Sequence, residues 1–309
     1  MKRQSPQRIK TISQFHELRN LPQPEHPLIS VVDYSLIQPN ENYNSFIQDF
    51  YSISLKRTTN AKILYGQQQY DFDSGVLFFL APNQLFSIQH NSTATPQHTG
   101  WLLLIHPDFL WNTSLASAIK KYAYFDYAVN EALFLSEKEE ETLNGIIGHI
   151  RHEYHANLDQ FSQSIIISQL ETLLNYSERF YQRQFLTRKI SNHQVLDRLN
   201  QLLRDYFEGD AILEKGLPTV HYVAEQLNIS ASYLGSLLKS LTGMHTQQHI
   251  HEKLIEKAKE ELSTSSLSVS EIAYRLGFEH SQSFSKLFKN KTRVTPQEFR
   301  QSFHDNQSY

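Results

Sequence analysis

The chain has 309 residues, 39% of them hydrophobic and 20% charged, with a formal net charge of −3 and no cysteine. That length holds two domains with ordinary cores, and no apolar run approaches the roughly 20 residues that cross a bilayer, so no membrane span is expected. Without cysteine there are no disulfides, thiolate metal sites or cysteine nucleophiles, which agrees with a reducing compartment.

In chain order, Lys2, Arg3, Arg8 and Lys10 come first, followed by Thr11, Ile12, Ser13 and Gln14 and not by the apolar core of a secretion signal. A cytoplasmic protein is expected. Short apolar or alternating runs then recur at 28–32, 50–55, 62–65, 76–80 and 101–105, bounded by turn formers such as Asp73-Ser74-Gly75 and Pro82-Asn83. They predict a small antiparallel β sandwich or barrel.

From Ser136 the pattern becomes helical. Ser136 and Glu139 have the form of a capping box, and Leu143, Ile146, Ile147, Ile150 and Tyr154 follow at helical spacing. A second helix is expected over 158–185, where Phe161, Ile165, Leu170, Leu173, Leu174, Phe180 and Tyr181 cover more than one face. Such excess apolar surface points to a subunit contact, hence a homodimer, unless both stripes pack inside one monomer.

Periodicity lapses over 187–193, where a polar, basic stretch predicts the boundary between a domain of residues 1–186 and one of 195–309. Beyond it Val195, Leu199, Leu202, Leu203 and Tyr206 mark an amphipathic helix ending near Gly209, and Pro218 is placed in the first turn of the next.

Residues 219–300 then contain one pattern written twice, about fifty positions apart. The first copy has Ala224, Leu227, Asn228, Leu234, Leu238, Lys239, Thr242 and Gly243; the second has Ala273, Leu276, Gly277, Phe284, Phe288, Lys289, Thr292 and Arg293. A short helix with a small inner residue, a tight break and a second helix with apolar residues four apart describe a helix-turn-helix. Two in tandem predict a reader of double-stranded DNA.

Major-groove reading needs a helix whose inner face is held by a partner while its outer face carries small polar and cationic groups. Leu234, Leu237, Leu238 and Leu241 are expected inward in the first copy, with Ser232, Tyr233, Ser236 and Lys239 outward. In the second, Phe284, Leu287 and Phe288 anchor the helix and Ser281, Gln282, Ser283, Ser285, Lys286 and Lys289 look out. Gln282 is the candidate for base readout, because a carboxamide pairs bidentately with adenine. Lys286 and Lys289 suit phosphate, and Ser230 and Ser281 are placed as helix caps. Between the copies, residues 247–262 predict a connecting helix roughly 24 Å long, a rigid spacer near the ~34 Å repeat of the major groove.

Charge agrees with this division. Residues 1–186 hold 14 Lys and Arg against 18 Asp and Glu, whereas 187–309 hold 15 against 14. Within 281–300, Lys286, Lys289, Lys291, Arg293 and Arg300 face only Glu298, so cations gather on the second copy.

These residues resemble the C-terminal DNA-binding domain of the AraC/XylS family of bacterial transcription regulators, above all in Ser270-Glu271-Ile272-Ala273, Leu276-Gly277-Phe278, the stretch from Phe284 to Lys289 and that from Thr295 to Arg300. The resemblance implies two helix-turn-helix units on adjacent major grooves and activation of transcription through RNA polymerase. Two positions depart from the family pattern: Arg293 stands where glycine is usual after the second recognition helix, which predicts an exit other than a left-handed turn, and Lys253 stands for an arginine. The first half resembles the family's effector-binding and dimerisation region through Tyr70-Asp71-Phe72-Asp73-Ser74-Gly75, Ala81-Pro82-Asn83-Gln84 and His106-Pro107-Asp108. It implies an α+β chain with an N-terminal cupin-like β barrel, a helical dimerisation segment, a small-molecule effector and an all-α C-terminal domain.

Other chemistry is less well supported. A cupin metal site needs a His-x-His pair on one strand, whereas His90, His98 and His106 occur singly and His249 and His251 fall on a helix, where such neighbours diverge. His149, His152, Glu153 and His155 lack the four-residue histidine spacing of zinc proteases. Asp71 and Asp73 read as turn residues. No metal, cofactor or catalytic residue is therefore assigned. A cupin-type small-molecule enzyme with a DNA-binding control domain remains the alternative, and a scaffold with helical partner sites a third reading; alkyl-transfer DNA repair needs the cysteine this chain lacks.

Overall fold

Two-residue alternation decides the architecture of the first half. The computed structural model describes residues 6–37, 45–59, 64–65, 68–69, 75–87, 97–128, 131–156, 159–187, 189–209 and 211–305, and the chain divides into two compact units, 1–184 and 185–309. The first contains strands β1 (Gln7–Ile9), β2 (Ile29–Asp33), β3 (Ser45–Gln48), β4 (Tyr51–Thr59), β5 (Leu64–Tyr65), β6 (Gln68–Gln69), β7 (Val76–Leu80), β8 (Leu85–Ser87), β9 (Gln97–Ile105) and β10 (Leu133–Phe134). Its helices are α1 (Ile12–Leu18), α2 (Leu115–Ala118), α3 (Glu137–His155) and most of α4 (Ser162–Thr187).

β4 is the central strand of a five-stranded antiparallel sheet ordered β10-β7-β4-β9-β2. On one face Ile53 and Leu55 lie opposite Leu103 and Trp101, all buried, and α3 covers them: Trp101 Nε1 donates to Asn144 Oδ1 at 2.9 Å and Arg57 pairs with Glu140 at 2.7 Å. The capping box read at the start of α3 is present, with Ser136 N donating to Glu139 Oε2 at 2.8 Å and Glu139 N to Ser136 Oγ at 3.4 Å. The opposite face carries Ser52, Ser54 and Lys56 among Leu80, Phe78, Leu102 and Leu104. It meets a three-stranded sheet, β1-β3-β8, and α1, where Ile12, Phe15, Phe46, Leu102 and Leu104 share one core cluster.

Of the antiparallel β sandwich or cupin-like barrel expected, a closed barrel is not seen among the described residues. Among the described residues the strands form separate sheets, and β1 pairs with β3 in parallel. The sheet stops at β10 because helix side chains satisfy its edge: Phe134 N donates to Gln184 Oε1 at 2.9 Å, and Arg183 Nη2 donates to Phe134 O at 2.7 Å. The run 62–65 and the motif at 70–75 lie mostly outside the described residues, Asp71 and Asp73 included, as does His90.

α4 begins later than its apolar pattern suggests, because the Asp159 carboxylate accepts the N–H groups of Phe161 at 2.7 Å and Ser162 at 3.0 Å. Most of its broad stripe is absorbed within the unit: Leu170, Leu173, Leu174, Phe180 and Tyr181 are buried, whereas Phe161 and Ile165 stay exposed, as does Trp111.

The second unit is helical. α5 (Lys189–Glu208), α6 (Ala211–Lys215), α7 (Val220–Leu227), α8 (Ala231–Thr242), α9 (Thr246–Thr264), α10 (Val269–Arg275), α11 (Ser281–Thr292) and α12 (Pro296–Asp305) follow in order. Lys189 to His193, expected to be a polar linker, are helical and open α5. Pro218 precedes the N-cap Thr219 and so stands just outside the helix it was placed in. One core joins Leu199, Leu203 and Tyr206 of α5 to Leu234 and Leu238 of α8, Ile250, Leu254 and Leu262 of α9, and Phe284 and Phe288 of α11.

The exit from α11 corrects a sequence expectation. Arg293 does not replace the left-handed turn but adopts it, with φ 71° and ψ −4°, nearly the values of Gly243 (75°, 0°) after α8. The N–H of each caps the carbonyl of the lysine four residues earlier. A side chain in this conformation costs about 1 kcal/mol. Arg293→Gly is therefore expected to raise stability by about that amount in denaturant unfolding, and a fall in stability would contradict the strain.

Candidate nucleic-acid interface

Each half of the repeat is built by the same local devices. α7 starts at Thr219, whose hydroxyl accepts from Tyr222 N at 3.1 Å, and α10 at Ser268, capped reciprocally by Glu271 at 2.6 and 3.2 Å. The Ser268 hydroxyl and N–H hold the Glu271 carboxyl below its ordinary pKa. Ala224 and Ala273 are buried where the paired helices approach, and each short helix ends in a left-handed residue, Asn228 at φ 58° and Gly277 at φ 80°. Only small inner residues and such a turn let the second helix double back over the first.

α8 and α11 bury the faces expected of them. Leu234, Leu237 and Leu238 are buried with Leu241 half-buried, and Phe284 and Phe288 are buried with Leu287 half-buried. Of the outward set on α11, Gln282, Ser283, Lys286 and Lys289 are exposed and Ser281 and Ser285 half-buried. On α8 only Lys239 is fully exposed, while Ser232, Tyr233 and Ser236 are half-buried.

Two assignments change. Tyr233 does not look freely outward: its ring lies edge-on to the buried Phe185, 5.2 Å between centroids. Ser281 is not the cap of α11; it is the first helical residue and His280 occupies the N-cap. Ser230 does cap α8, accepting from Tyr233 N at 3.2 Å.

α9 connects the two helix-turn-helix copies over 19 residues, about 28 Å at helical rise, with Ile250, Leu254, Ile255, Ala258 and Leu262 inward as expected. Lys253 pairs with Glu256 at 2.7 Å and Lys257 with Glu260 at 3.0 Å along its outer side. The His-x-His pair on this helix diverges: His249 Nε2 lies 2.9 Å from Thr242 Oγ1, and His251 Nε2 is 2.9 Å from Gln247 Nε2. Burial lowers both imidazole pKa values. Of the other histidines, His155 pairs with Glu25 at 2.6 Å, and His106 lies 3.5 Å from Asp108.

Electrostatically the halves are unequal. α8 carries Lys239 alone, whereas α11 carries Lys286, Lys289 and Lys291, continued by Arg293, all exposed. Lys291 and Arg293, read from charge and not as outward recognition residues, thus extend the exposed cation group beyond Lys289. Glu298, the one acid in the segment, is held ionised by the Thr295 N–H and hydroxyl and is stabilised by Lys289.

Residues 223–302 match the protein family described as "Helix-turn-helix domain". The HTH-type transcriptional activator RhaS of Salmonella paratyphi A is 24% identical over 265 residues, covering 85% of this chain and 89% of that protein. RhaS of Salmonella paratyphi B is 32% identical over 140 residues, 45% of this chain and 46% of the relative. Among solved structures, the C-terminal domain of AraT, a response regulator from Geobacillus stearothermophilus, is 30% identical with a TM-score of 0.31, covering 35% of this chain and 84% of that one.

Proposed function

We propose that this chain is a DNA-binding regulator of the AraC/XylS family, a reading supported by the helix-turn-helix match over residues 223–302 and by its likeness to the RhaS activators. Residues 195–309 form the DNA-binding domain and residues 1–186 the effector-binding and dimerisation domain. The relatives named activators favour activation, with RNA polymerase as the contacted partner. The protein acts in the cytoplasm as a homodimer, and the exposed Trp111, Phe161 and Ile165 are its proposed subunit contact.

One observation carries the reading: two helices of equal length, α8 and α11, each bury an apolar face in a common core and turn a polar face outward. A rigid α9 between them fixes their separation, which suits simultaneous entry into adjacent major grooves. Gln282 reads a base on this account, Ser283 and the α8 residues Ser232 and Ser236 add short polar contacts, and Lys239, Lys286 and Lys289 grip phosphate. Ser281 and Ser285 sit at the margin of the α11 face, and Tyr233 supports α8 more than it touches DNA.

Footprinting of promoter fragments should show two protected patches about one helical turn apart, with affinity falling roughly a thousandfold or more from 50 to 200 mM salt if six phosphates or more are contacted. Gln282→Ala should relax base preference at one or two positions, by about tenfold or more at each, whereas Lys289→Ala weakens all sequences alike and lowers the salt slope by about one. A salt-independent affinity, or two variants with the same profile, would overturn this division of labour.

A further inference from the structure

The two recognition helices leave by the same exit, built from different residues. After α8 and after α11 the last threonine, Thr242 or Thr292, donates its hydroxyl to the carbonyl four residues earlier at 2.8 Å, and the next residue turns left-handed, Gly243 at φ 75° and Arg293 at φ 71°. A Cβ added at Gly243 would meet nothing within 4 Å, so this turn disfavours a side chain through the backbone alone. Glycine suits it better than arginine does. The second copy nevertheless keeps a residue at odds with its own backbone, and an outlier of this kind points to a task for the side chain.

That side chain is exposed, and among the described residues its guanidinium makes no hydrogen bond, ion pair or ring contact. Packing therefore does not account for it. Gln282, Lys286 and Lys289 are exposed as well, and their spacing of four and then three residues places them on one stripe of α11. Arg293 comes one turn after Lys289. Lys291 stands off that stripe, close enough to α9 for its charge to help lower the pKa of His251. A helix that meets base edges with its first turn leaves its last turn at the rim of the groove. Arg293 stands eleven residues, about 16 Å, beyond Gln282, further than the ~12 Å width of the major groove.

We propose that Arg293 is a phosphate-binding residue of the second helix-turn-helix copy, its guanidinium fork closing on the DNA backbone where α11 leaves the major groove. The first copy has no counterpart, because Gly243 carries no side chain, so the grip is one-sided and the second copy is the more tightly held half. The inference rests on the docking proposed above for α11 and adds to it a residue whose effects on stability and on binding have opposite signs.

Fluorescence anisotropy of the full chain on duplexes of about 30 base pairs, selected by that chain from a random pool, tests it between roughly 50 and 200 mM salt. Arg293→Gln, which keeps a side chain in the turn but removes the charge, should weaken binding about tenfold and lower the salt slope by about one. Arg293→Lys should keep the slope and lose affinity by a smaller factor, since the charge remains without the fork. Arg293→Gly should lose as much affinity as Arg293→Gln while its urea midpoint rises above that of the parent, which separates lost contact from unfolding. Parental affinity and slope in Arg293→Gln, or a urea midpoint that falls together with affinity in Arg293→Gly, would overturn the assignment. If the parent itself selects no sequence and binds without salt dependence, the docking reading falls and takes the inference with it. If the parent binds as expected and Arg293→Gln matches it, the docking reading stands and the assignment of Arg293 alone is lost.

Discussion

Phe284→Ala should destabilise the second unit by about 4 kcal/mol and abolish DNA binding at physiological temperature. The side chain is 0% exposed and links a row of rings: its centroid is 5.5 Å from Phe278 and 5.8 Å from Phe288, and Phe288 is 5.5 Å from Phe299. Alanine removes the hub of that row. The remaining rings come from α11, α12 and the turn after α10, so they cannot close over the space without moving the helix they orient. Gln282→Ala, two residues away and exposed, should stay within about 0.5 kcal/mol of the parent. Urea unfolding followed by circular dichroism distinguishes the two; similar midpoints for both variants would mean that the aromatic row does not hold α11.

The next largest effect is expected at Gly277. Its φ of +80° is unfavourable for any side chain, and a Cβ built there would stand 2.9 Å from the carbonyl carbon of Gly216, 3.0 Å from its Cα and 3.0 Å from Leu217 N. All three are backbone atoms and cannot rotate away. Left-handed strain and overpacking together give a cost of about 3 kcal/mol for Gly277→Ala. Asn228 occupies the corresponding turn of the first copy at φ 58° and ψ 40° with a Cβ already in place, so Asn228→Ala should cost only about 1 kcal/mol. Gly277→Asn separates the causes. Asparagine tolerates the left-handed conformation but not the contact with Gly216, so it should remain nearly as damaging as alanine. Recovery to the level of the parent would show that the close approach is not limiting.

The tandem units were readable because their determinants are local. Ala224, Leu234 and Leu238 in one copy and Ala273, Phe284 and Phe288 in the other lie within about twenty positions of one another, and helical periodicity alone assigns them to an inner face. The capping pair at Ser136 and Glu139 and the inward series of α9 were legible for the same reason. Errors arose where a residue's surroundings come from elsewhere. Tyr233 has the spacing of an outward residue, but Phe185, nearly fifty positions earlier, covers its ring. Arg293 departs from the glycine habit of helix ends, yet the hydrogen bond to Lys289 and the packing that follows in α12 hold it in the turn glycine would take.

By itself, then, the amino-acid order determined which helices pair, which faces they hide and where cation density gathers, since these follow from spacing along the chain and from side-chain chemistry. Tertiary structure alone decided that the strands stay in separate sheets, with Gln184 and Arg183 ending one edge. It also brought Arg19 and Lys56 to one largely apolar space, with no acidic side chain in its wall among the described residues. The physical reason is that burial and charge pairing depend on which distant surface arrives. Neither periodicity nor composition carries that information across the tens of residues between Arg19, the sheet and α4.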